Sequence, residues 1–171
     1  MLLIGGVGYT YLGDLSFGAT LVERLRQREW PDDVVIEDVS YNPITVMDWL
    51  RDDPRRFDRA VLVTAVERGR PPGSLHRTAW QSTESTPDRV QDCVAAAITG
   101  TISLDNLLVI GTHFNLLPER TEIVELEPVT TGWGEGLSDV ADELVEQFAT
   151  WLRMELASDE RVATPSTGVL Q

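Results

Sequence analysis

The stretch "LLIGGVGYTYLGDLSFGATLVERL" (residues 2–25) runs from an apolar strand through a glycine-rich turn into a helix, with Phe17, Leu21, Val22 and Leu25 recurring at helical spacing. The turn carries one carboxylate, Asp14, and no lysine. Gly6, Gly8 and Gly13 miss the dinucleotide-binding pattern, because Tyr11 stands where a third glycine would let the helix pack closely on the strand. Gly8 and Gly13 have the spacing of a phosphate-binding loop, but Asp14 and Leu15 stand where its lysine and hydroxyl belong, and a carboxylate repels phosphate. Two readings of Asp14 stay open: it suits a metal cation or a cationic group, or it simply favours the positive end of a helix.

Strand and helix signals alternate along the rest of the chain. Residues 33–39 ("DVVIEDV") read as a second strand, and Asn42 and Pro43 as the cap and first turn of a short helix through Met47 and Leu50. Residues 60–66 ("AVLVTAV") read as a strand buried on both faces, followed by the turn at 69–73 and an edge strand at 74–80 that holds His76. Thr86 and Pro87 open a helix with Val90, Cys93, Val94, Ala97 and Ile98 on one apolar stripe. Residues 106–111 ("NLLVIG") read as a fourth strand ending near His113, residues 120–129 as an exposed strand, and a long final helix begins at Ser138. This alternation predicts a single α/β domain of three layers, a largely parallel twisted sheet with helices on both faces. It spans residues 1–157, with 158–171 expected as a flexible tail. Ligands in such sheets sit at the carboxyl ends of the strands.

Composition narrows the function classes. Fourteen basic against 28 acidic residues give a net charge of −14, which opposes approach to nucleic acid or an anionic membrane. All the basic residues are arginine, so lysine-dependent chemistry is excluded. The single cysteine, Cys93, rules out an intrachain disulfide or a multi-thiolate metal site. No apolar run is long enough for a membrane span and the first residues read as a strand, so a cytoplasmic location is expected. Trp30, Trp49 and Trp151 fall near helical apolar stripes as core or rim residues, whereas Trp80 and Trp133 lie beside loops where a partner could reach them.

"GVGYTYLGDLSFG" resembles the N-terminal signature of the NiFe-hydrogenase maturation proteases, and "RFDRAVLVTAV", "PPGSLHR", "DCVAAA", "LLVIG" and "GLSDVADELV" continue that likeness in order over residues 2–155. The resemblance implies an α/β endopeptidase fold that recognises nickel in the hydrogenase large subunit and removes a C-terminal extension, with two carboxylates and a histidine as metal contacts. Those positions fall here on Leu15, Thr64 and Thr86, and the family's glycine-rich recognition segment is replaced by "VSYNP" around Tyr41. Leucine cannot coordinate a metal and threonine is a poor ligand beside carboxylate or imidazole.

The expectation is therefore a protease-like protein that binds a NiFe-hydrogenase large subunit or its precursor during maturation or assembly, without family-type cleavage. Asp14, Leu15, Tyr41, Thr64, Thr86 and His113 are the candidate partner-binding positions. No resident cofactor is assigned, and nickel would enter through the partner. One alternative is an active endopeptidase with displaced ligands, Asp14 and His113 being the candidates for a weak metal site or an acid–base pair. Another is a Rossmann-like small-molecule binder.

Overall fold

A computed structural model describes residues 1–81, 83, 85–134 and 136–163, with side chains through 158. Five strands form one sheet in the order β2-β1-β3-β5-β4, from β1 (Leu2–Gly6), β2 (Val34–Asp38), β3 (Arg59–Ala65), β4 (Leu75–Ala79) and β5 (Arg120–Leu126). All neighbours are parallel except β4, which runs antiparallel to β5 along one edge. The fold is the three-layer α/β arrangement expected from the sequence.

Alternation along the strands divides the core. Ile4, Val61, Val63, Val124 and Leu126 face α1 (Phe17–Arg26) and α5 (Asp139–Ala163), where Phe17, Leu21, Leu25, Val145, Phe148 and Leu152 cover them. Leu3, Ala60 and Leu62 face the other layer, α2 (Pro43–Asp52), α3 (Pro87–Ile98) and α4 (Leu104–His113), and meet Met47, Leu50, Cys93, Ala97, Leu107 and Leu108. Two helix starts follow the local signals: the Asn42 side chain accepts from the Ile44 amide at 2.8 Å, and Thr86 from the Arg89 amide at 3.3 Å, each followed by proline at the first helical position.

Two expectations need correction. Residues 106–111 are not a strand: Leu104, Leu107, Leu108 and Gly111 hold one helical face of α4, and Ser103 caps it. The helix is wedged between the sheet and other helices, so apolar residues flank its core stripe and hide the helical period. The segment at 120–129 is not an exposed strand, because β4 pairs along its outer side and makes β5 interior; Val124, Glu125 and Leu126 are buried. Helix α5 runs to Ala163, and residues 164–171 of the expected tail lie outside the described residues.

Helix α1 lies hard against the sheet. A Cβ on Gly18 would stand 2.4 Å from the Val7 carbonyl oxygen and 2.6 Å from that of Val63, and one on Gly6 would stand 2.1 Å from the Gly18 oxygen. Backbone touches backbone here, which only glycine allows. At the amino end of the strands, Arg59 bonds Glu122 and Glu155, and Arg77 reaches the same two carboxylates while stacking over Trp151 at 4.2 Å.

Candidate functional site

The chain leaves β1 toward β2 on one side and β3 toward β5 on the other, so the sheet's switch point falls between the carboxyl ends of β1 and β3. A cleft of about 260 Å³ opens there, walled by the turn after β1 (Val7, Tyr9, Leu15), the end of β3 with the segment after it (Thr64, Glu67, Arg68) and the start of α4 (Ser103, Asp105). A larger, open hollow of about 690 Å³ runs along the outer face of α5, away from the strand ends. Topology favours the smaller cleft.

The β1 turn is held by its own backbone and by distant partners. The Gly8 amide donates to Ser40 Oγ at 3.0 Å, the Tyr9 amide to the Leu15 oxygen at 3.1 Å, and the Leu12 amide to Ser16 Oγ at 3.0 Å. Tyr11 takes the left-handed region at φ 61°, an uncommon conformation for a bulky residue, and the Gly134 amide donates to its carbonyl at 2.8 Å. A bridge between Leu12 and Trp133 joins the same two segments. Across the cleft the Tyr9 hydroxyl donates to the Ile102 oxygen at 3.1 Å.

Asp14 is fully buried, and its carboxylate is occupied. Oδ2 accepts from the amides of Val129 (2.8 Å) and Thr130 (3.3 Å) and from the Ser138 hydroxyl (2.9 Å), while Oδ1 accepts from the Ser138 amide (2.7 Å). Ser138 Oγ in turn accepts from the Ala141 amide, three residues on. Asp14 thus sits behind the first turn of α5 and ties it to the β1 turn, which is the helix-terminus reading applied to a helix 124 residues away.

The structure brings Leu15 and Thr64 together as two walls of the cleft. Tyr41 stands at the same sheet end beyond β2, next to the Ser40 hydroxyl that accepts from Gly8, and is 39% exposed. Burial, with Glu37 and Asp38 nearby, pushes its phenol above the ordinary value. Thr86 and His113 do not join them. His113 ends α4, nine residues from the cleft-lining Leu104, about 14 Å along the helix, and its ring packs on Phe114. Thr86 caps the far end of α3, twelve residues before Ile98. The expected meeting of Asp14 with His113 at a strand end therefore fails, because the strand proposed to carry His113 is a helix running away from the cleft.

Trp80 is also turned inward, its Nε1–H donating to Thr112 Oγ1 at 3.2 Å, whereas Trp133 and Tyr11 are 81% and 72% exposed. His76 proves closer to the cleft than an outlying edge strand suggests: it pairs with Glu125, which pairs with Thr64. These three residues share a row and a sheet face, with neighbouring strands about 4.8 Å apart.

Glu125, Arg68, Asp105 and Glu127 were not singled out from the sequence. Arg68 makes a two-pronged contact with Asp105, NH1 to Oδ2 at 3.0 Å and NH2 to Oδ1 at 2.7 Å, and also reaches Glu125 Oε1 at 2.7 Å. Arg70 takes the other oxygen of Glu125 at 2.8 Å. The bonds to Asp105 and then Glu125 outweigh burial and hold the Arg68 guanidinium even more firmly protonated than usual. Burial pushes the Glu127 carboxyl up, but backbone N–H groups at Arg68, Arg70 and Gly69 prevail and hold it below the ordinary value.

A divalent ion does not fit this donor set. Leu15 offers an alkyl group, the Thr64 hydroxyl points along its own backbone toward the Ala65 oxygen, and Asp14, Asp105 and Glu125 are already engaged. Among the described residues no group of three or more histidine, cysteine or acidic side chains is placed to hold a metal. No described helix is long and apolar enough to cross a membrane.

No family model matches the sequence, and neither does any curated protein. Solved structures do match. An endopeptidase from Escherichia coli superposes with a TM-score of 0.65 at 24% identity, covering 92% of this chain and 93% of that one. A hydrogenase 2 maturation peptidase from a Thaumarchaeota archaeon gives 0.62 at 21% identity over 91% and 97%, and the hydrogenase maturating endopeptidase HybD of E. coli gives 0.61 at 21% over 92% and 93%. The chain has the fold of the hydrogenase maturation proteases.

Proposed function

We propose that the protein is a divergent relative of these proteases that acts in hydrogenase maturation as a binding or assembly factor, engaging a NiFe-hydrogenase large subunit or its precursor without cutting it. One observation carries this reading: the cleft stands where the fold places ligands, yet the residues facing it as Leu15 and Thr64 supply neither metal coordination nor a base. His113, the displaced ligand that an active endopeptidase would need, stands at the far end of α4. The likeness also supports the cytoplasmic setting in which such a partner would be met.

The exposed aromatics at this edge supply what a binding protein needs. Trp133 and Tyr11 project into solvent from two segments locked by a bridge and a hydrogen bond, and Tyr9 and Tyr41 stand at the same sheet end. Large rigid side chains lose little conformational freedom on contact, which makes tryptophan and tyrosine the commonest energetic centres of interfaces.

The test mixes purified protein with a nickel-loaded large-subunit precursor and follows both association and precursor length. The expected outcome is a stable complex with the extension intact, weakened about tenfold or more by Trp133→Ala. Removal of the extension would establish an endopeptidase, and absence of any complex would end the hydrogenase reading.

A further inference from the structure

We propose that Arg68 is the built-in cation of the cleft, its guanidinium filling a carboxylate site beside Thr64 and leaving the cleft independent of divalent metals. Glu125 projects from the row next to Thr64, on the same sheet face, and its side chain is 4% exposed. Buried carboxylate charge on a strand end demands a cation, and two arginines meet it: Arg68 on Oε1 and Arg70 on Oε2. Arg68 then spans to Asp105, at the first turn of α4, through both terminal nitrogens. One planar fork therefore joins three elements that meet at the cleft: the segment after β3, strand β5 and the start of α4.

This geometry is specific to a guanidinium. A lysine ammonium could not satisfy Asp105 with two parallel bonds while reaching Glu125. A divalent cation would need the same oxygens, so its occupation of the site and that by Arg68 exclude one another. With those charges matched internally, much of the remaining wall is apolar, from Val7, Leu15, Ala65, Val66, Ile102 and Leu104. Such a mouth suits an apolar side chain of a partner rather than a metal-bound group.

The inference concerns the isolated chain and does not depend on the identity of the partner. Thermal unfolding and calorimetric titration of the full chain with Ni²⁺, Zn²⁺ and Mn²⁺ test it. The unaltered protein should show no saturable binding and no shift in Tm. Arg68→Ala combined with Arg70→Ala, which frees Glu125 and Asp105, should gain a metal-dependent rise in Tm of about 3–8 °C at millimolar ion. Adding Asp105→Asn should remove that gain. Arg68→Lys loses the two-pronged bond to Asp105 but leaves Arg70 on Glu125 and a cation beside it, so its Tm should still be insensitive to metal. Because the readout is stabilisation by the ion, a variant with a weakened fold still reports. Saturable one-to-one binding by the unaltered protein, or a double variant that stays metal-insensitive, would overturn the proposal. Neither result bears on whether a large subunit is bound.

Discussion

Replacing Asp14 by alanine removes the acceptor for the Val129, Thr130 and Ser138 amides and for the Ser138 hydroxyl. The carboxylate is fully buried, so water does not reach these donors without local opening. The hydroxyl can rotate toward another acceptor, but the three amides cannot. At about 1–3 kcal/mol for each buried donor left unsatisfied, and with partial relief by an admitted water, the expected loss is about 3–5 kcal/mol. In a chain of this size that corresponds to about 6–20 °C in Tm. Asp14→Asn keeps one acceptor oxygen and turns an NH₂ toward a donor, so it should lose about half as much. Urea unfolding followed by circular dichroism gives the free energies, and the same samples scanned with and without nickel separate a structural role from ligation. A loss below about 1 kcal/mol for Asp14→Ala, or a nickel response present in the parent and absent from Asp14→Asn, would refute this account of the turn.

Gly18→Ala forces a methyl against the carbonyls of Val7 and Val63, both main-chain atoms at the ends of β1 and β3 with no side-chain torsion to relax; a cost of about 3 kcal/mol in urea unfolding is expected, at the upper end of overpacking in a core. Stability should also fall on the acid side. Burial raises Glu122, but Arg77 and Arg59 prevail and hold it below the ordinary value of 4.5, and Glu127 is lowered likewise by its amide partners. Unfolding therefore takes up protons as pH drops, so Tm should be level above about pH 5 and decline below about 4.5; a flat profile down to about pH 3 would contradict this. Burial pushes the Cys93 thiol up and leaves it 1% exposed, so Ellman's reagent should react only as the chain unfolds, with a midpoint matching the circular dichroism transition.

What was legible in the sequence was local. Asn42–Pro43 and Thr86–Pro87 announce helix starts because cap and proline act within three residues, and the run at 60–66 announces a central strand because both its faces are covered. Leu15 and Thr64, singled out through the resemblance, both line one cleft. Residues 107–110 were misread because four apolar neighbours in a row fit a buried strand as well as a helix enclosed on most sides. Glu125 stayed hidden for a different reason. Its burial depends on β4 folding back along β5 and on arginines 55 and 57 positions earlier, none of which leaves a mark at position 125 itself. The described partners of the Asp14 carboxylate likewise all lie more than a hundred residues away.

The close approach of α1 to the sheet makes the two sides of the cleft mechanically unequal. On the β1 side, Gly6 and Gly18 seat helix and strand main chain against main chain, a joint with no side-chain torsion to relax. On the α4 side, Leu104 and Leu107 pack into the core, and the polar links across the cleft are the Arg68 fork and the Tyr9 hydroxyl on Ile102, both carried on rotatable side chains. A chain docking there, as proposed, would meet one wall seated main chain on main chain and another tied across the cleft by side chains. The turn that bears Leu15 would then be the firmer reference surface of the two.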